Sequence, residues 1–74
     1  MELIRDEHYF YTLEREESTD EYFLEALCGT VAQYTIRIRL TADEIAAYMN
    51  DPDSVRALAQ RITDSPHSFL GRRV

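Results

Sequence analysis

Residues 32–40, Ala-Gln-Tyr-Thr-Ile-Arg-Ile-Arg-Leu, alternate without a break. Ala32, Tyr34, Ile36, Ile38 and Leu40 share one face, and Gln33, Thr35, Arg37 and Arg39 share the other. Period two is the signature of a strand with one buried side, so this stretch commits the chain to a sheet with an apolar face and a polar face. His8–Glu16 (HYFYTLERE) is rich in aromatic and β-branched residues and reads as another strand. Glu21–Cys28 (EYFLEALC) mixes helix and strand formers, but it lies between turn signals at Glu17–Asp20 and Gly29-Thr30 and beside a strong strand. It is assigned as a third strand.

After Leu40 the period changes. Thr41-Ala42-Asp43-Glu44 has the form of a capping box, in which the Thr hydroxyl accepts from the third amide and the Glu reaches back. Ile45, Tyr48 and Met49 follow at helical spacing. Asp51-Pro52-Asp53-Ser54 opens a second helix, with Asp51 as N-cap and Pro52 in the first turn. Val55, Leu58, Ala59 and Ile62 form its apolar stripe, and Asp64-Ser65-Pro66 ends it. Phe69 and Leu70 fall in an irregular tail, and residues 71–74 are expected to fray. The expected fold class is α+β: a three-stranded antiparallel meander in the order β-β-β-α-α, with two short helices packed on one face. With only two Gly and two Pro, no linker is evident, and residues 1–74 read as one domain.

Strand register follows from burial and charge. A three-residue loop at Gly29-Thr30-Val31 pairs Cys28 with Ala32, Ala26 with Tyr34, Leu24 with Ile36 and Tyr22 with Ile38. A two-residue turn would place Glu21 and Glu25 on the apolar face, because a slip of one residue inverts a strand. A four-residue loop at Glu17–Asp20 pairs Leu13 with Leu24 and Tyr11 with Ala26, with Tyr9, Tyr11 and Leu13 inward. The outer face then carries His8, Phe10, Thr12, Glu14, Phe23, Glu25, Leu27, Gln33, Thr35, Arg37 and Arg39. Arg37 and Arg39 are expected to pair with Glu21 and Glu25 across the strands.

Composition narrows function. The 74 residues carry a formal charge of −6 and a single cysteine. Residues 1–33 hold nine acids and two arginines, while residues 34–74 hold five acids and six arginines, and lysine is absent. Phosphate neutralisation by a basic face dominates nonspecific nucleic-acid binding, and no such block exists here, so no nucleic-acid partner is expected. Met1–Glu7 lacks the basic start and apolar run of a signal peptide, and no stretch approaches the roughly 18 apolar residues of a membrane span. One cysteine allows no intrachain disulfide and fits a reducing cytoplasm. With only His8 and His67 beside it, the usual zinc ligand sets cannot be built, and no metal or cofactor is expected.

No catalytic constellation emerges. Cys28 is read as a buried structural thiol, since free cysteine is among the most buried residue types and no cation flanks it. Asp6-Glu7-His8 and His67 are read as solvated segments. The five tyrosines are read as core residues with a hydroxyl edge. The chain is therefore expected not to be an enzyme, and no small-molecule ligand is inferred. Two functional expectations remain. The first is a small acidic interaction or accessory domain, associating with itself as a homodimer through Phe10, Thr12, Phe23, Leu27, Thr35 and Arg37, since an apolar patch rimmed by charge marks interaction sites. The second is an inhibitor-type protein, of the antitoxin or immunity kind, that covers a basic protein with Glu14, Glu16, Glu17, Asp20 and Glu21.

Overall fold

The computed structural model describes residues 1–29 and 31–74. Four antiparallel strands run in sequence order, β1 (Glu2–Glu7), β2 (Tyr11–Glu16), β3 (Glu21–Cys28) and β4 (Tyr34–Arg39). Two helices follow, α1 (Ala42–Asn50) and α2 (Ser54–Asp64), and then a 3₁₀ turn over Pro66–Arg72. The α+β class with an antiparallel sheet preceding the helices is as expected, but the sheet has four strands rather than three.

The additional strand arises because His8–Glu16 is not continuous. Glu7 and Phe10 close a turn, with the Phe10 amide donating to the Glu7 carbonyl at 2.8 Å. Tyr9 occupies its third position at φ 64°, a left-handed site that Gly or Asn usually fills. Tyr9, expected inward, is instead 81% exposed. β1 pairs with β2 from Glu2↔Arg15 to Glu7↔Tyr11, and its register shifts between Leu3 and Arg5. A bulge of this kind breaks the period-two pattern that would have marked the strand.

β2 meets β3 in the expected register, Leu13 facing Leu24 and Tyr11 facing Ala26. Between β3 and β4 the register is displaced by two residues. Leu24 faces Ile38, Ala26 faces Ile36 and Cys28 faces Tyr34. The three-residue loop is thus replaced by a longer connection, and Thr30, which that loop includes, lies outside the described residues. A slip of two preserves the faces, so Ile36 and Ile38 are still fully buried. Tyr34, at the start of β4, is exposed instead of in the core, and Ala32 lies in a bend before the strand.

One face of the sheet carries the core. Tyr11, Leu13, Tyr22, Leu24, Ala26, Cys28, Ile36 and Ile38 meet Val55, Leu58, Ala59 and Ile62 of α2 and Phe69 of the 3₁₀ turn. The spacing of the α2 residues puts them on a single stripe, as the amphipathic pattern requires. Thr63 fixes the end of α2 by donating its hydroxyl to the Leu27 carbonyl at 2.9 Å. The start of α2 differs from expectation. Asp51 terminates α1, accepts the Asp53 amide on its side chain at 3.1 Å, and receives the Ser54 amide on its carbonyl. The turn it makes consumes Pro52, and the helix begins two residues later than the Asp-Pro signal indicates.

α1 contributes no fully buried residue, and Met49 points to solvent. Ile45 and Tyr48 are half-buried against the core, and Glu44 fastens the helix. Both halves of the capping box form: the Glu44 amide donates to the Thr41 hydroxyl at 3.2 Å, and the Thr41 amide donates to the Glu44 carboxylate at 2.9 Å. The same carboxylate takes both terminal nitrogens of Arg72, at 2.9 and 2.5 Å. Arg72 also donates to the Arg39 carbonyl. One ion pair therefore joins the end of β4, the start of α1 and the C-terminal turn. The final residues, expected to fray, lie along β4: Arg73 bridges Ile38, and the Val74 amide donates to the Arg37 carbonyl at 2.9 Å. The unused edge of β4 supplies the partners for this tail.

Burial disfavours charge on Glu44, but the hydrogen bond from Arg72, the Thr41 amide and the Arg72 charge outweigh it, holding the carboxyl below its ordinary pKa. A depressed carboxylate contributes stability that is present above its unfolded pKa and lost as pH falls through the folded value. Acid titration of the folded protein should show this loss, and Glu44→Gln should remove it while lowering stability at neutral pH by about 1–2 kcal/mol. Denaturant melts at several pH values measure both. Tyr11 offers a contrast, since its buried hydroxyl has no hydrogen-bond partner among the described residues. Tyr11→Phe removes an unsatisfied group and should leave the melting midpoint unchanged or raise it.

Candidate interaction surface

The helices cover one face of the sheet, and among the described residues no layer lies above the other. Three transverse rows organise that outer face through the strand registers. One runs Leu3, Glu14, Phe23, Arg39, and the next runs Asp6, Thr12, Glu25, Arg37. The third sets Leu27 beside Thr35, with the Leu27 amide donating to the Phe10 carbonyl.

Arg37 is the hub of the surface. Its guanidinium lies 2.6 Å from Glu14 and 3.8 Å from Glu25, sits 4.8 Å over the Phe23 ring, and touches the Met1 sulfur at 3.2 Å. A cation over an aromatic face is attracted by the ring quadrupole, so Arg37 roofs Phe23 and leaves that ring half-buried. Arg39 pairs with Glu21 at 2.8 Å. The expected cross-strand pairing therefore forms, with Glu14 added as the nearest carboxylate to Arg37.

Of the six residues expected at the interface, Thr12, Phe23, Leu27, Thr35 and Arg37 do occupy this face. Thr35 is exposed, and the other four are partly covered by their neighbours. Phe10 is placed differently. As part of the turn between β1 and β2 it sits at the end of the sheet, half-buried, with its ring edge-on to Tyr11 at 5.2 Å and beneath the Arg56 guanidinium at 5.3 Å. Arg56 is held in turn by Glu7 at 2.9 Å. Phe10 and Leu27 do meet, in the wall of a shallow groove of about 300 Å³ that Tyr9, Thr12, Glu25 and Thr35 also line. Met1, Leu3 and Asp6 join the surface without having been expected there. Their strand could have been found only by allowing one extra residue at Ile4, after which Leu3 and Asp6 fall on the outer face.

The acidic cluster is compensated from within the chain. Glu14 belongs to Arg37, Asp20 lies 2.6 Å from Arg15, and Glu21 belongs to Arg39. Glu17 faces the N-terminal ammonium at 3.7 Å, and Glu16 accepts from the Ser18 hydroxyl at 3.2 Å. The Thr19 hydroxyl, and after it Arg39, hold the Glu21 carboxyl below its ordinary pKa.

Cys28 is buried on the opposite face, its sulfur 3.7 and 3.8 Å from the carbonyls of Ala26 and Ile62, and burial pushes its thiol pKa up. The His8 ring lies 4.0 Å from the exposed Tyr9 ring and tilted to it, and His67 is exposed in the 3₁₀ turn. Among the described residues, no three His, Cys, Asp or Glu side chains are placed to hold a metal ion, and no helix is long and apolar enough to cross a membrane. Comparison with protein-family models, with curated proteins and with solved structures finds no match.

The thiolate is the reacting species in alkylation. Cys28 should therefore resist iodoacetamide at neutral pH in the native protein and label fast in urea. Mass spectrometry of timed samples reads this directly, and rapid native labelling would show that the thiol is accessible.

Proposed function

We propose that this chain is a small interaction domain with no chemistry of its own, associating with itself through the outer face of the sheet. The observation that carries the reading is a whole sheet face left without a covering layer. That face mixes the apolar side chains of Met1, Leu3, Phe23 and Leu27 with arginines whose charges are met by neighbouring carboxylates. Burying paired charge costs far less than burying lone charge, so Arg37 and Arg39 can be covered without stranding a cation.

The edges of the sheet support the same reading. β1 is charged and bulged, both devices that blunt an edge against further pairing. β4 is half covered by Arg73 and Val74. The face is then the larger open surface. The alternative, an inhibitor-type protein presenting Glu14, Glu16, Glu17, Asp20 and Glu21 to a basic enzyme, draws less support. Three of those carboxylates already hold arginines, and a partner would have to displace them.

Sedimentation velocity over a wide concentration range tests the proposal. The protein should move from monomer to dimer as concentration rises. Leu3→Asp combined with Thr35→Asp changes two exposed positions and should hold it monomeric with an unaltered circular dichroism spectrum. A monomer at every concentration, or a dimer indifferent to both changes, overturns the reading.

A further inference from the structure

Beside the β1–β2 turn the outer face is indented by the groove of about 300 Å³. That volume stands at the lower end of the range for ligand sites, and it suits one side chain rather than a whole cofactor. Phe10, Leu27, Thr12 and Thr35 form much of its lining. Three acidic residues also line it, Asp6, Glu7 and Glu25, and among the described residues no arginine does. Glu7 is held by Arg56 at 2.9 Å. The other two are not matched in this way. Asp6 is exposed, and among the described residues no cation lies within ion-pair distance of it. Glu25 stands 3.8 Å from Arg37, but that guanidinium turns toward Glu14 at 2.6 Å and lies over the Phe23 ring. Strand pairing sets Asp6 and Glu25 on either side of Thr12. The groove therefore presents unspent negative charge from two directions over an apolar lining.

Tyr9 adds an aromatic surface to the same groove. Its backbone is left-handed at φ 64°, an outlier for a bulky residue, and the residue is 81% exposed. We propose that the groove receives an arginine side chain projected by a protein partner. The stem lies along Leu27 and Phe10, and the guanidinium rests against the Tyr9 ring between Asp6 and Glu25. Long basic side chains commonly lay an apolar stem on apolar surface and keep the charged head at a wet rim. A guanidinium is planar, stacks on aromatic faces and donates from several nitrogens at once, which a compact ammonium does not. Arginine is therefore favoured over lysine. Such capture needs only a single chain, and so it stands apart from self-association through the same face.

An amide NMR titration of the full chain tests the site, at a protein concentration where sedimentation shows monomer. The probe is the capped tripeptide acetyl-Gly-Arg-Gly-amide. Saturable shifts should centre on Thr12, Glu25, Leu27 and Thr35, with a dissociation constant in the millimolar range. The citrulline analogue keeps the shape and loses the charge, and it should bind about tenfold more weakly. Asp6→Asn should weaken arginine binding about fivefold. Asp43→Asn removes another exposed acid, on α1, and should change nothing. Shifts scattered over the acidic surface, shifts that do not saturate, or equal binding of citrulline overturn the proposal. So do equal losses in Asp6→Asn and Asp43→Asn, which would mark a response to net charge alone. None of these outcomes bears on self-association, which the concentration series decides separately.

Discussion

Alternate burial along β3 is the constraint from which the rest of the molecule follows. Tyr22, Leu24, Ala26 and Cys28 all face the helices, and the intervening Glu21, Phe23, Glu25 and Leu27 all face away. β3 is paired on both sides, so its polarity is imposed on β2 and β4 through the registers. It also fixes where α2 must lie, because the Val55–Ile62 stripe has only this face to cover. Everything on the outer surface, the ion pairs of Arg37 and Arg39 included, is the complement of that one alternation.

How much of this could be read in advance depended on whether each residue signalled its own neighbour. The strand at Tyr34–Arg39, the β2–β3 register and the capping box at Thr41 were legible, since each rests on local spacing or on a short loop. The β1–β2 turn was not. Tyr9, which takes the left-handed φ, is not among the residues that favour it, and aromatic content there reads as strand. β1 itself was hidden by the bulge near Ile4. With that strand went Leu3 and Asp6, two of the positions on which the proposed surface depends. The β3–β4 register was misjudged by two residues because burial specifies parity but not loop length. The assignment of faces survived, and with it the placement of Cys28.

Charge illustrates the difference between composition and arrangement. A chain of net charge −6 invites the expectation of an acid surface waiting for a basic partner. In the folded molecule, arginines from β2 and β4 stand within reach of Glu2, Glu14, Glu21 and Asp20. The excess negative charge is then spread over positions such as Asp6, Asp43 and Asp53. It does not gather into one field.

The bond between Glu44 and Arg72 also bears on the order in which the structure can be completed. The two residues are 28 positions apart, whereas the hairpins and the capping box close over short separations. Loop closure must be met before a distant contact gives any return. During synthesis the meander emerges first and α2 can settle on β3 once Asp64 has appeared. α1, with no fully buried residue of its own, has no carboxylate clamp until Arg72 is made. The helix that comes fifth among the elements is thus the last to be secured.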